Sequence, residues 1–210
     1  MTLFLEPAQG HMFDSAGRVF EPKSRTWRAS DESVGGGEEI SASGAVAWLQ
    51  RSSGAACRVP VGVIGAREAR PDQLTAAEEL GRRLAEIGLT VLCGGRQGIM
   101  EAVCRGVAAN GGVSVGILPD DDPKAANPYV TIPIATGIGI ARNALVARAA
   151  LCLIAIGGGY GTISEAAFGL QFTKPVFTLL DGPSITGTTP CGSVAEALDG
   201  IARIVLGLPL

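Results

Sequence analysis

The chain has 210 residues, 47% of them hydrophobic and 30 of them glycine; that length suffices for one well-buried α/β domain with a small appendage, and the glycines favour a sheet with tight turns over a helical bundle. A net charge of −3 gives no reason to expect nucleic-acid binding. The single histidine, His11, lies in a polar segment, which excludes histidine metal sites and Ser-His-Asp triads.

Residues 1–58 differ in pattern from residues 59–210. Met1 to Pro7 is too short and too soon charged to read as a signal peptide. Met12-Phe13 and Arg18-Val19-Phe20 flank Asp14-Ser15-Ala16-Gly17, the pattern of a small hairpin, and Glu6-Pro7 is echoed by Glu21-Pro22. An isolated hairpin is marginal in water, so Phe4, Phe13, Phe20 and Trp27 are expected to dock on the rest of the chain or on a second copy. Residues 31–43 read as a polar, glycine-rich linker, and Ser41 to Arg51 as a short helix around Val46, Trp48 and Leu49.

From residue 59 the pattern alternates. Val59–Ile64 is a strand. Asp72–Ile87 is a helix with an apolar stripe at Leu74, Ala77, Leu80 and Leu84, stopped by Gly88. A strand at Leu89–Cys93, a helix at Ile99–Ala109 and a strand at Val113–Leu118 come next. Beyond the Asp120–Pro123 loop come a strand at Tyr129–Ile134, a helix at Gly139–Ala150 and a fully apolar strand at Leu151–Ile156. Ile163–Phe172 is helical, Pro175–Leu180 a strand and Val194–Leu206 the closing helix. Strands alternating with helices predict an α/β domain over 59–210, a doubly wound, mostly parallel sheet, with 1–58 as a β-hairpin extension. Cys57, Cys93, Cys104, Cys152 and Cys191 form no C-x-x-C pair and read as reduced structural thiols of a cytoplasmic protein; no apolar run is long enough for a membrane span.

Right-handed crossovers put the loops after the strands along one sheet edge, where ligands bind in such folds. Two glycine-rich strand-to-helix turns fall there. Gly157-Gly158-Gly159-Tyr160-Gly161-Thr162 precedes a helix carrying Glu165 in its first turn, and Gly94-Gly95-Arg96-Gln97-Gly98 precedes the helix at Ile99. Such turns converge backbone N–H groups on an anion at a helix N-terminus. Glu165 is out of place beside a phosphate, which suggests a role toward the part of the ligand next to it; the alternative is an acid favourable to the helix dipole. Arg67 and Arg70 lie on the same edge. Glu101 and Arg105 are spaced for an i,i+4 ion pair. Asp120-Asp121-Asp122 reads as a solvated turn, and no metal site is expected. Tyr129 and Tyr160 are candidates for stacking or for packing.

Gly94-Gly95-Arg96-Gln97-Gly98-Ile99-Met100-Glu101, Arg142-Asn143 and Gly157 through Glu165 resemble, in order and spacing, the LOG ("lonely guy") superfamily, whose members have been labelled "lysine decarboxylase-like". The resemblance covers about residues 59–180. It implies a Rossmann-like domain, usually a homodimer, binding a nucleoside 5′-monophosphate, and in the family's enzymes cleavage of the N-glycosidic bond to release a base and ribose 5-phosphate. Carried over, Arg142 and Glu165 are the functional pair. Gly94, Gly95, Arg96 and Gly98 of one turn, with Gly158, Gly159, Gly161 and Thr162 of the other, hold the phosphorylated ligand. Asn143 stands where the family pattern has Lys, Gly157 where it has Pro, and Cys93 where the upstream turn has its first Gly. With Ala135 to Asn143, these departures look more like the branch containing the molybdenum-cofactor carrier protein, which binds a phosphorylated pterin without known turnover. The reading is therefore a carrier of a phosphorylated heterocycle, a nucleoside monophosphate or the molybdenum cofactor, with no cofactor needed for catalysis; a phosphoribohydrolase and a ligand-free structural dimer are the alternatives. Lysine decarboxylation is rejected, because pyridoxal phosphate needs a Schiff-base lysine and Lys23, Lys124 and Lys174 lie in no such setting.

Overall fold

The computed structural model describes residues 1–6, 10–30 and 37–210. The chain divides into two units, one of Met1–Cys57 with Asp199–Leu210, the other Arg58–Leu198.

The first unit is built on an antiparallel sheet of five strands: β1 (Leu3–Glu6), β2 (His11–Asp14), β3 (Arg18–Glu21), β4 (Thr26–Ala29) and β5 (Glu38–Ile40), in the order β4-β3-β2-β1-β5. The hairpin turn is tied by Asp14, whose Oδ1 accepts the N–H groups of Ala16 and Arg18 at 2.9 and 3.0 Å. The sheet is larger than the hairpin expected, because β4 and β5 show too little apolar alternation to be read as strands. Residues 31–36 of the expected linker, and Pro7 of the Glu-Pro echo, lie outside the described residues. Glu38–Ile40, at the linker's far end, instead pairs with β1. Helix α1 (Ala42–Arg51) starts where Ser41 Oγ accepts the Gly44 N–H at 3.1 Å. Trp27 donates its indole N–H to the Leu206 carbonyl at 2.8 Å, so the chain's last turn belongs with its first strands.

The second unit holds a seven-stranded sheet of β6 (Val61–Gly65), β7 (Val91–Cys93), β8 (Ser114–Leu118), β9 (Ile132–Ala135), β10 (Leu153–Ile156), β11 (Val176–Leu179) and β12 (Thr189–Pro190), every pair parallel. Its helices are α2 (Pro71–Glu86), α3 (Ile99–Ala109), α4 (Asn143–Ala149), α5 (Tyr160–Gln171) and the start of α6 (Val194–Val205). β10 and β11 are buried along their whole length, as strands covered on both faces must be. The strand order β12-β11-β10-β6-β7-β8-β9 decides where the site lies. The chain begins at β6, steps outward through β7 and β8 to β9, then returns to the other side of β6 with β10. The order therefore reverses between β6 and β10, and the loops leaving these two strands diverge to open a crevice.

Three local expectations are corrected. The strand expected from Tyr129 begins at Ile132, because the Ser114 hydroxyl takes the Thr131 N–H at 3.1 Å in place of a ladder bond. The expected helix 139–150 is a 3₁₀ turn, Gly139–Arg142, followed by the shorter α4. Arg105 pairs not with Glu101 but with Glu78 of α2 at 2.7 Å, since helix packing brings that carboxylate closer. Cys93, Cys104 and Cys191 are free thiols. Among the described residues no helix is long and apolar enough to cross a membrane.

Candidate anion-binding site with a buried Arg–Glu pair

The crevice between the β6 and β10 loops is a cleft of about 490 Å³. The β10–α5 turn supplies Gly158, Gly159, Gly161, Thr162 and Glu165. The β6–α2 loop supplies Gly65 to Glu68. The crossover from β9 back to β10 supplies Ile140, Arg142 and Asn143, and Met100 of α3 completes the wall.

Gly158 makes the turn possible. Its φ of 132° is open only to glycine, and a Cβ there would lie 2.5 Å from the Thr162 side chain. Helix α5 has no side-chain cap, and its first intrahelical bond is Ile163 N–H to Gly159 O at 3.0 Å. The N–H groups of Tyr160, Gly161 and Thr162 come before that bond and have no partner in the helix. Gly159 and Gly161 have open space where a Cβ would point. N–H groups left over at the positive end of a helix, on the wall of a cleft, suit an oxyanion.

Arg142 and Glu165 meet beside this cradle, Nη1 to Oε1 at 2.6 Å, with side chains only 9% and 8% exposed. The same Nη1 reaches Asn143 Oδ1 at 2.8 Å. Asn143 in turn donates to Ser164 Oγ at 2.9 Å, and Ser164 to the Gly161 carbonyl at 2.7 Å. Asn143, which the sequence marked only as a departure, thus ties the arginine to the first turn of α5. The Arg142 Nε is buried without a partner. Burial raises the Glu165 carboxyl to about 7 against the pull of Arg142. A carboxyl near neutrality is able both to give and to take a proton at ordinary pH.

The upstream turn is placed differently from the downstream one. Gly94 lies behind the arginine: a Cβ there would run into the Arg142 guanidinium and come 2.8 Å from Met100 Sδ. Arg96 turns away to Asp120 Oδ2 at 2.8 Å and the Ala125 carbonyl at 3.3 Å. Gly98 packs against the carbonyls of Ala66 and Arg67. None of Gly94, Gly95, Arg96 and Gly98 is on the cleft wall. Arg67 is on it, and Arg70 pairs with Asp72 and Asp181 instead. Glu68, Met100 and Ile140 were given no role from sequence: the place of the β6–α2 loop on the ligand edge pointed to Glu68, while Met100 and Ile140 stood only within the segments that carry the resemblance. Among the described residues no cluster of three or more His, Cys, Asp or Glu side chains is arranged to hold a metal.

Fold and site together define a doubly wound parallel domain with a glycine-rich, uncapped helix N-terminus and a buried Arg–Glu pair at its switch point. The SLOG cluster4 family matches residues 58–196, and the chain belongs to that family. The molybdenum cofactor binding protein of Rippkaea orientalis is 32% identical, with a TM-score of 0.67 over 71% of this chain and 99% of that one. The molybdenum cofactor carrier protein of Chlamydomonas reinhardtii is 33% identical, with a TM-score of 0.64 over 70% and 98%. A probable cytokinin riboside 5′-monophosphate phosphoribohydrolase of Oryza sativa subsp. japonica is 36% identical over 93 residues, 43% of this chain and 38% of the rice protein.

Proposed function

We propose that the cleft binds a phosphorylated heterocyclic small molecule and that the protein serves as its carrier. The observation that carries this reading is the uncapped N-terminus of α5 beside a buried arginine with an unpartnered Nε. Phosphate oxygens satisfy those donors, and the cleft's volume lies in the range that small-molecule sites occupy. The similar cofactor binding protein and cofactor carrier protein, each matched over almost its full length, favour the molybdenum cofactor as cargo. For such a cargo, Gly158 to Thr162 and Arg142 would hold the phosphate, and Ile140 and Met100 would border the heterocycle.

The second reading, hydrolysis of a nucleoside 5′-monophosphate, is favoured by Glu165. A carboxyl poised near neutrality beside the phosphate cradle suits stabilisation of an oxocarbenium-like transition state or activation of water. One preparation separates the two. Mass spectrometry of the small molecule that copurifies, with assays for base release from AMP, GMP, CMP and cytokinin monophosphates, is expected to find a bound phosphorylated pterin and no released base. Release of base that Glu165→Gln lowers by about a hundredfold or more would overturn the carrier reading.

The protein is further proposed to form a homodimer through this unit. Leu145 and Ala149 of α4 face outward, as do Ile163 and Phe168 of α5. Val146, next to Leu145, is fully buried in the unit's own core.

A further inference from the structure

We propose that the cleft takes up a doubly charged oxyanion together with a proton, and that the proton lands on Glu165. This rests on the anion-binding reading above and states what becomes of the buried ion pair when the anion arrives. Arg142 Nη1 is already engaged by Glu165 at 2.6 Å and by Asn143 at 2.8 Å, and the arginine's charge is balanced by the Glu165 carboxylate. Its Nε is buried and holds no hydrogen-bond partner. An anion on the α5 N-terminus therefore competes with Glu165 for a single cation, inside a site where neither charge is well hydrated.

The charges around Glu165 leave that group to respond. From the β9–β10 crossover comes the Arg142 guanidinium; farther along α4, Arg148 lies over the Phe172 ring at 4.7 Å. β6, β10 and β11 bring no charged side chain against α5. The β6–α2 loop brings Arg67 and Glu68, opposite in sign and exposed at the rim. The Cys93 thiol lies near Arg142, but its contact with Cys104 and its burial hold it protonated. Burial already draws the Glu165 carboxyl to about 7. A second negative charge a few ångströms away raises it further, and protonation then frees the whole charge of Arg142 for the ligand.

Sulfate is the probe, because it does not titrate near neutrality and any proton taken up must go to the protein. Calorimetry in buffers of different ionisation enthalpy is expected to show uptake of most of one proton per sulfate at about pH 8, falling toward none at about pH 6, where Glu165 already holds it. Linkage then makes sulfate affinity fall by up to about tenfold per pH unit above 7. Glu165→Gln is expected to bind sulfate with a pH-independent affinity and no uptake. Should that variant fail to fold, difference infrared spectra of the unaltered protein at about pH 8 must show a protonated carboxyl appearing on sulfate addition. Sulfate or AMP that binds the unaltered protein at about pH 8 without uptake overturns this proposal alone. Failure of both to bind at either pH overturns the anion-binding reading, and this proposal with it.

Discussion

Replacing Glu165 by glutamine removes a proton site while keeping the side chain's shape. The group is 8% exposed, and burial, opposed by Arg142, moves its carboxyl from the ordinary 4.5 to about 7. Between those values the folded chain holds a proton that the unfolded chain has lost. The stability this confers is complete below about pH 4.5 and is lost as pH rises through about 7. At about 1.4 kcal/mol per pH unit, that interval amounts to about 3 kcal/mol. Glu165→Gln has no such proton. The substitution's other effects offset its stability by a constant, so the pH slope of the difference reports the Glu165 proton alone. Urea unfolding of both proteins from about pH 4.5 to about pH 8 should therefore show the difference moving in the variant's favour by about 3 kcal/mol. A difference that stays level across that range would refute the reasoning, and with it the claim that burial governs this carboxyl.

Gly159→Val should fold with an unchanged melting temperature, since nothing lies within 4 Å of its Cβ position, yet lose AMP and sulfate binding by at least tenfold in calorimetry. Gly94→Ala drives a methyl into the Arg142 guanidinium; overpacking of this kind costs about 1–3 kcal/mol, visible in urea unfolding, and sulfate affinity should fall with it. Trp27→Phe forfeits the bond to the Leu206 carbonyl, worth about 1 kcal/mol, and should lower the melting temperature by a few degrees. Light scattering at micromolar concentration should give a mass of at least twice that of the 21.4 kDa chain; a monomer mass would contradict the proposed assembly.

Much of the fold was legible because its signals are local. The apolar run at Leu153–Ile156, the glycines after it and the helical pattern beyond are covalent neighbours, and tight turns and helix starts depend on little else. The pairs that misled are those whose partner is distant in sequence. Arg105 had a plausible neighbour in Glu101 and found Glu78 on another helix. Arg96 looked poised for a ligand and is committed to Asp120. Glu38–Ile40 looked like linker, since three residues carry no periodicity until β1 lies alongside.

By itself, the amino-acid sequence determined the alternation of strands and helices and the glycine-rich strand-to-helix turn at Gly158–Thr162, and through its resemblance it marked Arg142 and Glu165 as the residues to examine. Only the tertiary structure decided which loops share a cleft. The reversal of strand order between β6 and β10 sets the β6–α2 loop opposite the β10–α5 turn, and leaves the equally glycine-rich turn after β7 behind Arg142 as its support. Burial, too, exists only once the sheet is assembled. It takes water away from Glu165, draws its carboxyl to about 7 and leaves one nitrogen of Arg142 without a partner, because solvation belongs to the packed surroundings of a residue and not to its identity.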